Sequence, residues 1–292
     1  MSDDAALLVE AKRLRAKKRF SQNFLVDESV LSRIVSALDL KPGETVLEIG
    51  PGPGFLTQFL MPGAADVAAV EVERSMCMHL RRKFSAAKNF TLYEEDILKF
   101  SFDKIKSPQL KIVGNLPYSI TSPILFHLIG ELDDLNYPLR KRATQITLMV
   151  QKEVAERITA KPGTKPYNHL SIALQYWCET RYEFTVPPQA FYPRPKVESA
   201  VISLFPRKTP LYEIEDLAFF ARLVRCVFQY KRKTLKNALQ HAGLVSPDLV
   251  KAGVLDTIFS ESGIAPEARA ETLGIPQFGQ LAHALRQHTR QG

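Results

Sequence analysis

The stretch Thr45-Val46-Leu47-Glu48-Ile49-Gly50-Pro51-Gly52-Pro53-Gly54 decides how the chain folds. Residues 45–49, with Val46, Leu47 and Ile49, read as a strand, and residues 55–60 read as a helix. Between them, alternate glycines permit a sharp turn and let a ligand approach bare backbone. The spacing GxGxG differs from the GxGxxG of pyrophosphate sites, which aims a helix N-terminus at phosphate. Downstream, strand and helix alternate: 67–72 strand, 75–84 helix, 90–93 strand, 111–113 strand, 122–132 helix, 145–150 strand and 152–158 helix. Upstream, a helix begins near Asp27, carries Val30, Leu31, Ile34, Val35 and Leu38 at helical spacing, and stops at Lys41-Pro42-Gly43. This rhythm predicts an α/β fold with a mostly parallel sheet covered on both faces.

After a helical stretch at 170–178, residues 182–186 and 200–205 read as strands joined by the proline-rich segment 187–199. With no helix between them, these two are expected to be antiparallel. From residue 206 onward the periodicity is helical only. The expected organisation is a basic N-terminal arm over 1–20, whose run 12–19 reads as a solvated arm or the end of a helix, a catalytic domain over 21–207 and a small all-helical C-terminal domain over 208–292. No internal repeat or low-complexity segment is evident.

Composition fits one large domain plus a small one: 292 residues, 45% of them hydrophobic. The formal charge of +8 makes a polyanionic partner plausible. Cys77, Cys178 and Cys226 are odd in number and lack CxxC spacing or a Cys/His cluster, so neither a disulfide framework nor a metal site is expected. No apolar stretch approaches the ~18 residues that span a bilayer. The opening Met-Ser-Asp-Asp has neither the charged nor the apolar region of a secretory leader. A cytoplasmic protein without membrane attachment is expected.

Ligands in open α/β sheets sit beyond the carboxyl ends of strands. Four features collect at such ends. Gly50 and Gly52 form the turn after the first strand; Glu71, 21 positions beyond Gly50 and at the end of the second, suits two ribose hydroxyls. Asp96 closes the third and could accept from an adenine amine. Asn115-Leu116-Pro117-Tyr118 follows the fourth and combines an amide acceptor, an outward carbonyl, a stiff turn and an aromatic plate. Each reading has a plain alternative, a solvated strand-end carboxylate or an ordinary strand-to-helix turn. Jointly, ribose, adenine and glycine contacts without a phosphate clamp describe S-adenosylmethionine better than NAD.

At these residues the sequence resembles the KsgA-type rRNA adenine N6,N6-dimethyltransferases. The likeness runs from SQNFL at 21 through EIGPGPG at 48, NLPYSIT at 115 and LMVQKEVAERI at 148 to AFYPRPKVESAV at 190 and FQYKRKTLKNAL at 228. It implies a Rossmann-like methyltransferase sheet with a helical C-terminal domain. It further implies dimethylation of two adjacent adenosines in the 3′-terminal hairpin of small-subunit rRNA. The cofactor contacts it implies fall on Asn23, Leu25, Gly50, Glu71, Asp96 and Asn115. Two departures stand out: Ser21 replaces a frequent glycine, and Tyr167-Asn168-His169-Leu170-Ser171 replaces the usual YGRLS, which puts a substrate role for that loop in doubt.

An adenine amine is a weak nucleophile because its lone pair is delocalised into the ring. The Asn115 side-chain oxygen and the Leu116 carbonyl are expected to accept its two hydrogens and favour a pyramidal nitrogen, with Pro117 stiffening the turn. Tyr118 is expected to stack on the extruded base and Phe191 to cover its other face, a core position being the alternative for Phe191. A monomethyl product has one amine hydrogen left, so the pocket must take a methyl where one acceptor contact was. For RNA phosphates the candidates are Lys17, Lys18 and Arg19 in the arm, and Arg222, Arg225, Lys231, Arg232 and Lys236 in the C-terminal part. The expected partner is small-subunit rRNA within an immature 30S particle, bound by a monomer. An Erm-type enzyme acting on 23S rRNA, a more distant DNA adenine methyltransferase, and a non-catalytic assembly or transcription factor of the same fold stand as alternatives.

Overall fold

The computed structural model describes residues 3–14 and 22–289. Lys17, Lys18, Arg19 and Ser21 lie outside the described residues. Two compact units are present: one holds the chain to Gly130, Tyr137–Ala155 and Glu179–Pro206, the other Glu131–Asn136, Glu156–Cys178 and the chain from Arg207 on. The helical unit thus includes two segments, within 131–178, that sequence placed in the catalytic domain. A physical reason is visible at Trp177, which is 1% exposed and donates its Nε1–H to Leu132 O at 3.0 Å.

The first unit is built on a seven-stranded sheet. Its strands are β1 (Thr45–Ile49), β2 (Asp66–Glu71), β3 (Phe90–Glu94), β4 (Leu110–Asn115), β5 (Ala143–Gln151), β6 (Cys178–Val186) and β7 (Ser199–Pro206). They lie in the order β3-β2-β1-β4-β5-β7-β6. β1 pairs in parallel with both β2 and β4, and β5 in parallel with β4. β7 runs antiparallel to β5, with Gln151 opposite Ser199. From β1 the chain winds outward to β3 and then returns to the other side of β1, so the order reverses between β1 and β4. Both of these strands are apolar along most of their length and buried, as a strand covered on two faces must be.

Helices α1 (Asp3–Leu14), α2 (Glu28–Leu38), α3 (Phe55–Leu60), α4 (Arg74–Lys83) and α5 (Thr121–Ile129) belong to this unit. α2 starts at Asp27, whose carboxylate accepts from Val30 N at 3.1 Å. Its last carbonyls find an unusual partner: Lys111 of β4 is 6% exposed and donates to Leu38 O and Asp39 O at 2.9 and 2.5 Å. Sequence-based boundaries over 27–158 agree within one to three residues; α5 ends early because Gly130, at φ +83, turns the chain.

Two features correct the reading of the chain's start and of the proline-rich segment. Residues 3–14, expected as part of a basic arm, form α1, which buries Leu7 and Ala11 in the core of this unit. Phe24–Leu25 and Phe191–Tyr192 form a two-stranded antiparallel ribbon, with Leu25 opposite Phe191. In the second unit, the helices His169–Trp177, Leu217–Gln229, Leu235–His241, Val254–Ser262 and Ile275–Thr289 enclose a core that includes Trp177, Phe220, Phe228 and Phe278.

Candidate functional site

At the carboxyl ends of β1 to β4 the first unit contains a cavity of about 370 Å³, in the size range of small-molecule sites. Gly50 and Gly52, at φ +63 and +54, shape its floor as left-handed positions that suit glycine. Gly50 N donates to Val70 O at 2.9 Å, binding the turn to β2. Glu71 completes the arrangement: its carboxylate accepts from Gly52 N at 3.1 Å and Glu73 N at 2.8 Å. Burial pushes the Glu71 pKa up, and these two N–H donors work against that shift.

Asn23, Leu25, Asp96, Asn115, Leu116, Pro117 and Tyr118 all line the same cavity with Gly50, Gly52 and Glu71. Asp96 sits just past β3, and one of its oxygens caps the following turn through Leu98 N at 3.0 Å. Asn115 ends β4 and donates its side-chain N–H to Asn23 O at 3.0 Å. A carbonyl can only accept, so this bond fixes which way the amide faces. The Asn115 side-chain oxygen is left without a hydrogen-bond partner among the described residues. Leu116 N donates to Met149 O at 3.1 Å, which sets the orientation of that peptide. The Tyr118 hydroxyl meets Ser199 Oγ at 2.7 Å, anchoring the ring at its far end.

Two cavity residues carry signals that sequence reading passed over. Val72, read as the last residue of the second strand, lies just beyond it and is 52% exposed on the cavity wall. An apolar residue after a strand-end acid offers a flat contact for a purine ring. Glu48, quoted only as part of the glycine stretch, is 2% exposed and takes a 2.6 Å hydrogen bond from Thr57 Oγ1. Burial, with a smaller push from the nearby Glu71 charge, raises its pKa to about 8. An acid raised in the folded state costs stability as pH climbs from its ordinary value of 4.5 to about 8, because the unfolded chain ionises first. Glu48→Gln is therefore expected to gain stability over wild type progressively across that window and level off above it. Urea unfolding at pH 5 and pH 8 checks this, and equal differences at the two would reject it.

Other expected site residues are placed elsewhere. Phe191, expected over a flipped base, is 2% exposed within the apolar cluster of Phe24, Leu25, Phe55 and Ala190, and does not line the cavity. Its pairing with Leu25 points it into that core. Lys231, expected at RNA phosphates, donates to Lys165 O and Tyr167 O at 2.6 and 3.0 Å and pairs with Glu271 at 3.4 Å. With three acceptors around it, this ammonium holds the 165–167 loop. Lys236 pairs with Asp256 at 2.8 Å. Arg222, Arg225 and Arg232 are exposed and have no ion-pair partner among the described residues.

The Tyr167–Ser171 departure also has a local explanation. Asn168 caps the helix His169–Trp177, accepting from Leu170 N at 2.8 Å and Ser171 N at 3.4 Å, while Ser171 Oγ accepts from Asn168 N at 3.0 Å. His169 stands where the usual pattern has arginine. Burial lowers its pKa, and the charges of Arg225 and Arg157 lower it further.

Among the described residues, no helix is long and apolar enough to cross a membrane. The profile of the family described as "Ribosomal RNA adenine dimethylase" matches residues 13–286. The Ribosomal RNA small subunit methyltransferase A of Lactococcus lactis is 42% identical, over 92% of this chain and 90% of its own. The protein of that name from Moorella thermoacetica is 39% identical, over 95% of both chains. Among solved structures, a dimethyladenosine transferase from Plasmodium falciparum is 28% identical with a TM-score of 0.71, covering 87% of this chain and 94% of that one. The 23S rRNA methyltransferase ErmE is 26% identical with a TM-score of 0.68, covering 90% and 99%.

Proposed function

The chain belongs to the ribosomal RNA adenine dimethylase family, and from that premise we propose that it dimethylates the N6 amines of two adjacent adenosines in the 3′-terminal hairpin of small-subunit rRNA. The methyl donor is S-adenosylmethionine, and the substrate is an immature 30S particle that a monomer meets in the cytoplasm. Small-subunit RNA is favoured over 23S rRNA because relatives named for the small subunit share 39 to 42% of residues, against 26% for ErmE. The observation that carries the reaction is the Asn115 amide, turned by Asn23 so that a bare acceptor stands at the cavity beside the glycine turn.

The cavity suits that donor by the chemistry of its walls. Glu71 offers carboxylate oxygens for ribose hydroxyls, Asp96 an acceptor for an amine, and Val72 an apolar face. When bound, the donor supplies a methyl on a cationic sulfonium. The protein's part is positional. Asn115 Oδ1 and Leu116 O accept the two amine hydrogens, so the nitrogen lone pair leaves the ring and points at the donor. Tyr118, anchored by Ser199, stacks on the extruded base, a contact of ~1 to 3 kcal/mol. No strong base is needed, because the methylated nitrogen is acidic enough to lose its proton to solvent.

Arg222, Arg225 and Arg232 then provide phosphate contacts. Changing Arg222 and Arg225 together to alanine is expected to weaken rRNA binding and to flatten its dependence on salt, by about one log-log unit for each phosphate no longer neutralised. Lys231→Met is expected to lower thermal stability without altering that slope. A titration in which the arginine pair leaves the slope unchanged removes them from the interface.

The test of the whole proposal uses unmodified 30S particles, 50S particles and duplex DNA incubated with labelled S-adenosylmethionine, followed by digestion. Labelled dimethyladenosine from 30S alone is the expected result. Label in 50S would move the substrate to 23S rRNA, and label in none would leave a non-catalytic factor.

A further inference from the structure

Helix α1 reaches two walls of the cavity through residues that stand behind them, and neither link belongs to the chemistry described above. Its Glu10 carboxylate lies 3.0 Å from Lys83 Nζ and 3.0 Å from His79 Nε2, both on α4. Lys83 reaches further: its ammonium donates to Pro53 O, at 3.2 Å, inside the glycine turn. The same ammonium stands 4.9 Å from the centre of the Phe55 ring and 5.9 Å from that of Phe84. Pro53 and Phe55 both line the cavity. Two residues beyond Glu10 along α1, Lys12 Nζ lies 6.0 Å over the Tyr192 ring, and Tyr192 pairs with Phe24, another cavity residue. On its buried side α1 sets Leu7 and Ala11 in the cluster that holds Phe24, Leu25, Phe55 and Leu56.

We propose that α1 is a strap holding the methyl-donor cavity in its binding shape, and that Lys83 is the positioning residue through which Glu10 of α1 governs the Pro51–Gly54 turn. The proposal rests on the reading of this cavity as the donor site. Physically, the turn contributes bare backbone to its ligand, so its grip depends on where the peptide planes stand. Gly50, Gly52 and Gly54 leave those planes free to rotate, and the two prolines restrain only part of that freedom. A charge-assisted bond to Pro53 O restrains the rest. Lys83 is 19% exposed in its side chain and wedged between two aromatic faces. Without Glu10 the ammonium would face that apolar surround with the Pro53 carbonyl as its only other hydrogen-bond acceptor among the described residues. The pair therefore acts as one unit from helix to turn. Lys83 touches neither donor nor base, so its effect falls on donor binding and leaves the transfer step alone.

Steady-state kinetics on 30S particles and calorimetry with S-adenosylhomocysteine test this directly, with circular dichroism to verify folding. In Lys83→Met, the KM for S-adenosylmethionine and the Kd for S-adenosylhomocysteine are expected to rise about tenfold, with kcat within about twofold of wild type. Lys83→Arg restores most of the affinity because its guanidinium can still meet both Glu10 and the carbonyl. Glu10→Gln, which keeps the side chain's shape and leaves Lys83 in place, gives a smaller rise of about threefold. Wild-type KM and Kd in Lys83→Met overturn the proposal, as does a fall in kcat with KM unmoved. Should Lys83→Met fail to fold, an unchanged KM in Glu10→Gln overturns it instead. If wild type itself binds no S-adenosylhomocysteine, the donor reading fails; if wild type binds it and the variants bind equally well, only the strap fails.

Discussion

Replacing Asn115 by alanine is expected to lower methyl transfer by roughly 100- to 1000-fold, the scale seen when one preorganised polar partner is removed from a reacting centre. The effect belongs to the transition state. In the ground state the adenine amine is planar and holds its hydrogens in the ring plane; only as the nitrogen pyramidalises do those hydrogens swing toward two acceptors placed to one side. Alanine removes one acceptor and leaves the Leu116 carbonyl. Folding is expected to survive, because the side chain is only part-buried and its one hydrogen-bond partner among the described residues is the Asn23 carbonyl. That bond is worth about 1 kcal/mol. Donor affinity should fall far less than turnover. Single-turnover measurements on 30S particles, with melting curves and donor titration on the same preparation, separate the three quantities. Turnover close to wild type in a well-folded Asn115→Ala protein would remove Asn115 from the chemistry and with it the mechanism. A wild-type rate with weakened donor binding would reassign the residue to the donor.

The largest loss of stability is expected from a single methyl group at Gly114. A Cβ there would lie 2.7 Å from Ile49 O and 3.1 Å from Ile49 Cβ. Ile49 is the register partner of Gly114 across β1 and β4, the two strands between which the sheet order reverses. Both neighbouring atoms are parts of a buried strand, so no side-chain rotation relieves the clash. Gly114→Ala must push the two strands apart at the point where Gly50 and Asn115 leave them. Overpacking with relief from flexible groups costs about 1 to 3 kcal/mol, and here the cost is expected at about 3 kcal/mol or more. Urea unfolding followed by far-ultraviolet dichroism should show the midpoint move down, and donor binding should fall with it. A midpoint unchanged from wild type would mean that β1 and β4 are not held at this spacing.

The elements of the sheet were legible because their signals are local. Val46, Leu47, Ile49, Ile112 and Val113 are apolar where a doubly covered strand must be, and glycine marks the turn at 50–54 because left-handed backbone suits little else. The placing of Glu71, Asp96 and Asn115 at successive strand ends followed from counting along those elements. The docking of α1 was not legible. Its sequence is rich in charge, and of its apolar positions Leu7 and Ala11 are buried while Leu8 and Leu14 pack part-buried against the same cluster. A run of lysine and arginine nearby dominates any reading of that segment.

Phe191 and Lys231 show the same division from the side of function. An aromatic in a proline-rich loop and a lysine among basic neighbours each fit an RNA site by residue type. Phe191 is instead paired with Leu25 and buried, and Lys231 is taken up by the carbonyls of residues 165 and 167.

By itself, the sequence determined the alternation of strand and helix, the glycine turn, and the acids and amide at the ends of three further strands, since each depends on a residue and its near neighbours. Only the tertiary structure decided which of the chosen residues are free to meet a ligand. Asn115 is oriented by a residue 92 positions away, Lys111 is spent on a helix end 73 positions away, and Glu48 keeps its proton because it is shut off from water. Burial and hydrogen-bond partnership are set by groups that meet only when the chain has folded, and no short window of sequence contains both members of such a pair.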